Sequence, residues 1–289
     1  MQSASKPQAD PRQVALVISD VDGTLVDKEK NITPATRAAV DALRAAGIRF
    51  TIISSRPPRG EKYIIEALDI IEPIAAVNGG TIITPEFKVL HESCLPEPLA
   101  VQTIEIMTAH GVDVWVFNGG SWFVTDRHGP HVDRETHTVR FEPLVVDSFE
   151  GKLDKIGKIV GVTDDSPRIQ KCEAAIHAAL GEHVAASCSQ KYYLDVTHPE
   201  ANKGRGIQLL SELLRVPTER ICTIGDGAND VLMFNVSGYS VAMGNGAAEV
   251  QQAACAVTTP NTEDGFANAM RKFILGPRGA AIPAPAVRA

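Results

Sequence analysis

The sequence predicts an α/β fold: a parallel sheet with helices on both faces, interrupted by an inserted α+β segment. Three observations carry this. Short apolar runs that end in acidic, serine or glycine residues alternate with helical segments from residue 14 to residue 77. Hairpin signals and both tryptophans, Trp115 and Trp122, then replace that texture up to about residue 197. From residue 203 the alternation of helix and buried strand returns.

The first strand is read at 14–19 (VALVIS), an apolar run that feeds an acidic loop. Thr33 followed by Pro34 caps a helix that stops at Gly47. Strands at 49–54 and 74–77 flank a helix near 60–68, and spacings of this kind require crossover connections. Within the insertion, 81–84 is read as one arm of a hairpin and 96–110 as a helix. The Asn118-Gly119-Gly120 turn joins strands at 112–117 and 122–125. A polar helix at 131–140, a strand at 158–163, a helix at 167–180 and strands at 184–189 and 192–197 complete it. The resumed core reads as helix 203–214, strand 220–224, helix 228–236, strands 239–243 and 255–258, and a last helix at 264–274. The expected divisions are a core at 13–82 and 198–275, an insertion at 83–197, and unstructured ends at 1–12 and 276–289. An insertion at this point lies over the carboxyl ends of the strands, where open α/β sheets bind ligands.

A chain of 289 residues with 44% hydrophobic and 22% charged residues fits a globular enzyme of two domains. Its formal charge of −7 argues against nucleic acid as a partner, while leaving room for a locally cationic site and a small anionic substrate. Cys94, Cys172, Cys188, Cys222 and Cys255 are scattered and form no CxxC pair, so a reducing cytoplasm is expected, with most of them as small buried hydrophobes. No run approaches the roughly 20 apolar residues of a membrane span, and the first residues lack the apolar core of a secretory signal. Oligomeric state is not legible.

The chemistry concentrates at strand ends. In Asp20-Val21-Asp22-Gly23-Thr24, alternation puts Asp20 and Asp22 on one side, and Gly23 permits the turn away. Such a pair can attack phosphorus, protonate a leaving oxygen and help hold a hard cation. Taken alone it could equally form an Asx turn and helix cap, or open a calcium loop. The calcium loop needs a glutamate at its twelfth position, and that position is Asn31. Ser54-Ser55-Arg56 closes the second strand with hydroxyls that can donate to phosphate. Lys203 opens a helix after Asn202. A carboxylate approaching a phosphate dianion at about 4 Å meets a repulsion of about 8 kcal/mol at an effective dielectric near 20, so an aspartate nucleophile needs cations around it. Asp226, in Gly225-Asp226-Gly227-Ala228-Asn229-Asp230, ends a strand as Asp20 does, and Asn229 and Asp230 begin the helix that follows.

The motifs ISDVDGTL, TIISSR, AAVNGG, EANKG, IGDGANDVLM, VAMGNG and TEDGF, in that order, resemble the haloacid dehalogenase superfamily over residues 14–274. The likeness is to its Cof-type phosphatases with a type IIB cap, near the mannosyl-3-phosphoglycerate and sucrose-phosphate phosphatase branch. The resemblance implies a Rossmann-like core with the cap inserted after the third strand. It implies Asp20 as nucleophile and Asp22 as general acid/base, with Mg²⁺ held by Asp20, the backbone carbonyl of Asp22, and Asp226. Val21, Ser54, Ser55, Lys203 and Asn229 would bind phosphate, and Asp230 would support the metal ligands from behind. Asn78 and Asn245 are candidate substrate contacts. The family's usual Thr-Gly-Arg is Ser54-Ser55-Arg56 here, and Asp22 favours phosphoryl transfer over dehalogenation.

The function expected is therefore a Mg²⁺-dependent phosphomonoesterase acting on a small phosphate ester, with no nucleic-acid or membrane partner. A phosphotransferase such as a phosphomutase would use the same aspartyl-phosphate. A phosphate-ligand sensor on the same fold would be expected to lose Asp20 or Asp22. Substrate choice falls to the insertion, where Trp115, Trp122, His128, His131, Arg134 and Tyr192 are candidate contacts.

Overall fold

The computed structural model describes residues 10–278. Residues 1–9 and 279–289, where unstructured ends are expected, lie outside the described residues. At the inner margins of those ends, Pro11–Gln13 and Gly276–Arg278 form 3-10 turns. The chain divides into two compact units. One takes residues up to 54, 64–79 and those from 202 on; the other takes 55–63 and 80–201.

In chain order the elements are β1 (Leu16–Ser19), α1 (Pro34–Ala45), β2 (Arg49–Ile52), α2 (Lys62–Ala67), β3 (Ile74–Ala76), β4 (Thr81–Ile83) and β5 (Val89–Glu92). There follow α3 (Glu97–Ala109), β6 (Asp113–Asn118), β7 (Ser121–Val124), α4 (Val132–Val139), β8 (Leu144–Val145), β9 (Ile156–Val162), α5 (Ser166–Leu180), β10 (Ala185–Gln190) and β11 (Tyr193–Thr197). The last are α6 (Lys203–Leu214), β12 (Ile221–Gly225), α7 (Asp230–Val236), β13 (Tyr239–Ala242), α8 (Ala248–Ala253), β14 (Ala256–Val257) and α9 (Gly265–Ala269). Sequence reading missed β5, β8 and α8. Its last helix is α9 continued by a π-helical turn at Met270–Leu275.

In the first unit the strands run parallel in the order β14-β13-β12-β1-β2, with a further parallel bridge from Ile53 to Ala75. β1 is central, and all four of its residues are buried, as expected of a parallel strand covered on both faces. Leu16 pairs with Ile221 and Arg49, and Ser19 with Ile224 and Ile52, so β1, β2 and β12 finish level. The ladder reaches one residue further, where the Asp20 N–H donates to the Ile224 carbonyl at 2.9 Å. The Thr33 hydroxyl accepts from the Thr36 N–H and starts α1, whose Ala39, Val40 and Leu43 are buried.

The chain leaves this unit after residue 79 and re-enters it at residue 202, and a close approach within the unit joins the two points. Gly79, at φ +96°, packs so tightly on α6 that a Cβ there would stand 2.7 Å from the Gly206 Cα and 3.0 Å from the Asn202 carbonyl oxygen.

The second unit is built on a sheet ordered β10-β11-β9-β6-β7-β8, antiparallel except for the short β7–β8 pair. Gly119 (φ 46°) and Gly120 (φ 110°) form the two-residue turn between β6 and β7. One face of the sheet buries Met107, Val116, Ile159, Ile176 and Leu194, with α3 and α5 packed on it. The other buries Trp115, Phe117, Trp122 and Val160 with Val132 and Val139 of α4. No helix of the described residues is long and apolar enough to cross a membrane. Cys172 and Cys222 are buried as expected, but Cys188 and Cys255 are exposed and Cys94 is half-buried, because they sit on edges or loops rather than on covered strands.

Candidate active site

Three loops at the ends of β1 and β12 and the start of α6 build the site, all within the first unit. Lys203 is the first residue of α6, behind an Asn202 cap that accepts from the Arg205 N–H. Its ammonium is 1% exposed and donates to Asp20 Oδ1 at 2.5 Å and to Asp230 Oδ1 at 2.6 Å. Asp20, Asp226 and Asp230 each bring a carboxylate oxygen within 4.8 Å of the others. Two glycines make room for this convergence. A Cβ at Gly23 (φ +83°) would collide with the Asp226 carboxylate, and one at Gly225 with that of Asp230.

The three acids differ in how their lone pairs are used. Asp230 gives Oδ1 to Lys203, and its Oδ2 accepts the backbone N–H groups of Asp226 (2.8 Å) and Gly227 (2.7 Å). It therefore organises the loop and orients the lysine. Asp226 accepts the Thr24 hydroxyl at 3.0 Å on Oδ1 and the Asn245 amide at 3.1 Å on Oδ2. Asp20 accepts Lys203 on Oδ1, and its Oδ2 has no hydrogen bond among the described residues. A carboxylate has about four lone-pair sites, so Asp20 and Asp226 keep capacity for a cation and Asp230 keeps little.

The electrostatics point the same way. Burial, and then the charges of Asp230 and Asp226, push the Asp20 carboxyl well above the usual carboxylate range against the pull of Lys203. Burial and the Asp230 charge push Asp226 up to about 6, although the Thr24 hydroxyl favours its carboxylate. Burial works against the charged form of Lys203, yet Asp20 and Asp230 hold it above its ordinary value. Three clustered carboxylates facing one ammonium suit a hard divalent cation with oxygen ligands. The donor set fits such an ion.

Asp22, half-buried, pairs through Oδ1 with Lys30 Nζ at 2.6 Å. Ser54 is buried; its N–H donates to the Ala75 carbonyl, and its own carbonyl accepts the Asn78 N–H. The Val21 carbonyl collects the N–H groups of Thr24, Leu25 and Val26, which closes the turn after the nucleophile candidate. Asn78 stands in the left-handed region (φ 54°) and accepts the Asn229 amide at 3.0 Å. Asn245 spends its amide on the Gly23 carbonyl and on Asp226, and its Oδ1 accepts the Asn261 N–H, so it ties two loops together. Ser55 belongs with the second unit, where its carbonyl accepts Lys158 Nζ at 3.3 Å.

Sequence reasoning gave no role to Lys30, Thr24 or Asn261. Thr24 lies inside the quoted DVDGT motif, which was its signal; Lys30 and Asn261 lie in loops without one. Of the candidates in the second unit, Trp115 and Trp122 are core residues, 2% and 0% exposed. Tyr192 stacks on His131 with ring centroids 4.1 Å apart, Arg134 lies over Tyr192 at 5.2 Å, and His131 Nε2 is 2.7 Å from Asp164. His128 is exposed.

Over residues 17–270 the chain matches the haloacid dehalogenase-like hydrolases, and it belongs to that family. Its relatives place it among the family's phosphatases. It is 26% identical over 262 residues to the 5-amino-6-(5-phospho-D-ribitylamino)uracil phosphatase YitU of Bacillus subtilis, covering 89% of this chain and 97% of that one. The fold is similar to a haloacid dehalogenase-like hydrolase from Bacteroides thetaiotaomicron, with a TM-score of 0.83 at 26% identity over 89% of this chain and 98% of the other. It is also similar to a subclass IIB sugar phosphatase, with a TM-score of 0.79 at 22% identity over 90% and 99% of the two chains.

Proposed function

We propose that the protein is a Mg²⁺-dependent phosphomonoesterase that hydrolyses a small phosphorylated metabolite through an aspartyl-phosphate on Asp20. The observation that carries this reading is the shared ammonium. Lys203 lies 2.5 Å from Asp20 and 2.6 Å from Asp230, with Asp226 in the same cluster, so positive charge sits beside the carboxylate that must approach a phosphate dianion.

In the reaction an oxygen of Asp20 bonds to phosphorus as the bond from phosphorus to the leaving oxygen breaks, and Asp22 gives that oxygen its proton. Water then attacks phosphorus and passes a proton to Asp22. The bond to Asp20 breaks, inorganic phosphate departs, and both carboxyls are restored. Mg²⁺, held by Asp20, the Asp22 carbonyl and Asp226, would supply positive charge against the phosphate oxygens. Val21, Ser54, Lys203 and Asn229 would hold the phosphate. A sugar or polyol phosphate is the favoured substrate class, since the relative YitU acts on a phosphoribityl compound.

The test is phosphate release from p-nitrophenyl phosphate and a panel of sugar phosphates, with Mg²⁺ and with chelator. Release that needs Mg²⁺ and disappears in a folded Asp20→Asn variant is expected. No release from any substrate, or full activity in Asp20→Asn, would overturn the reading. Recovery of an isomerised sugar phosphate in place of inorganic phosphate would make the protein a mutase.

A further inference from the structure

The loop between β1 and α1 is folded into a small hairpin whose tip carries Lys30. Val26 and Ile32 form an antiparallel bridge, and the Asp27 N–H donates to the Asn31 carbonyl at 3.0 Å. The Lys30 N–H donates back to the Asp27 carbonyl at 3.2 Å, and Asp27 Oδ1 accepts the Asn31 N–H at 2.8 Å. The base of the hairpin is tied down by the Asn261 amide, which donates to the Val26 carbonyl at 2.9 Å. In this turn Lys30 takes the left-handed position, φ +62°. Glycine and asparagine are the usual occupants there, and other residues adopt it in only a few per cent of cases. The lysine in that place brings its ammonium to 2.6 Å from Asp22 Oδ1.

The Asp22 side chain is 28% exposed and that of Lys30 is 25% exposed, so the pair sits in partial contact with solvent. Proton transfer to a leaving oxygen demands a carboxyl held in one orientation within hydrogen-bond reach, and the contact with Lys30 restricts the two rotatable bonds of Asp22.

We propose that Lys30 is a positioning residue for the acid step: it grips one oxygen of Asp22 and so fixes the carboxyl that hands its proton to the leaving group. This rests on the phosphatase reading above, and the pair is internal to the unit that carries Asp20.

The assay compares kcat/KM for an alkyl phosphate, whose leaving oxygen must be protonated, with kcat/KM for p-nitrophenyl phosphate, whose anion leaves unaided. General acid catalysis contributes about 10²–10⁴-fold, so Lys30→Met should lower kcat/KM for the alkyl ester by roughly 10–100-fold and for the aryl ester by less than about 3-fold. Lys30→Arg should restore most of the alkyl activity. Thermal melts and circular dichroism check that each variant is folded, and Lys30→Gln serves if Lys30→Met is not. An equal loss on both esters would make Lys30 a substrate or structural contact and overturn the proposal. A gain in rate, which would make the pair a latch, would overturn it too. A wild type inactive on every ester would instead remove the phosphatase reading; with an active wild type, Asp20→Asn should silence both substrates together, which separates loss of the nucleophile from loss of the acid step.

Discussion

Replacing Lys203 with methionine removes the ammonium that Asp20 and Asp230 share and leaves a side chain of similar length in its place. At 2.5 and 2.6 Å and an effective dielectric near 20, the two contacts amount to about 13 kcal/mol of gross attraction, most of it offset by desolvating the charges. Breaking a buried pair by deleting one partner costs about 3–5 kcal/mol net, and that is the loss expected for the metal-free protein at neutral pH. The carboxylates left behind, with oxygens within 4.8 Å of one another, repel by about 3–4 kcal/mol per ionised pair. They relieve this by taking up protons. A carboxyl whose folded pKa is raised contributes stability that is complete below its unfolded value and is lost as pH rises through the folded one. Asp226 already stands at about 6 beside Lys203, and the variant must push both Asp226 and Asp20 higher. The gap between wild type and variant should therefore be small near pH 4 and open as pH rises through about 6. Urea unfolding in chelator, followed by far-ultraviolet circular dichroism, measures it; tryptophan emission would not serve, because Trp115 and Trp122 both lie in the second unit. A loss below about 1 kcal/mol at neutral pH, or a gap that ignores pH, would refute the reasoning.

Outcomes are expected at three further positions. Asp226→Asn should stabilise the chelated protein at neutral pH by up to about 3 kcal/mol, because a carboxyl raised from 3.8 to about 6 is ionised there at a cost of about 1.4 kcal/mol per unit. The same variant should lose the rise in Tm expected for the wild type in Mg²⁺; an undiminished rise would remove Asp226 from the proposed metal site. Gly225→Ala should cost about 1–3 kcal/mol and most of the phosphatase activity, since its methyl displaces the Asp230 carboxylate that orients Lys203. Trp122→Ala should cost about 3–5 kcal/mol in urea unfolding, because the ring is fully buried and stacked on Phe117 at 5.6 Å. Trp122→Phe should cost far less, as it also deletes a buried indole N–H that has no hydrogen-bond partner among the described residues.

The parallel core was legible because its strands are continuous apolar runs and each ends in a chemically marked loop. Asp20, Lys203, Asp226 and Asp230 could be named for the same reason, since each opens or closes an element whose period is readable. β5, β8 and α8 were missed for opposite reasons of pattern: β5 and β8 are short strands with exposed apolar residues such as Val89, Leu144 and Val145, and α8 spans only Ala248–Ala253. Lys30 was invisible because it meets Asp22 from a turn, which no periodicity announces. Asn245 was read as a possible substrate contact or a structural residue beside the site, and its amide ties the Gly23 and Asp226 loops together. Trp115 and Trp122 show the limit of composition, for an aromatic residue in an insertion reads alike whether it faces a ligand or a core.

The contact between Gly79 and α6 has a consequence for how such a chain can change over time. Because a Cβ on Gly79 would already touch Gly206 and the Asn202 carbonyl, the exit and return points of the 80–201 segment are neighbours in space. A segment anchored in that way is a large loop with its ends pinned, and the entropy of closing it grows only logarithmically with length, by about 0.6 kcal/mol for each doubling. The core is thus nearly indifferent to the size of what it carries there.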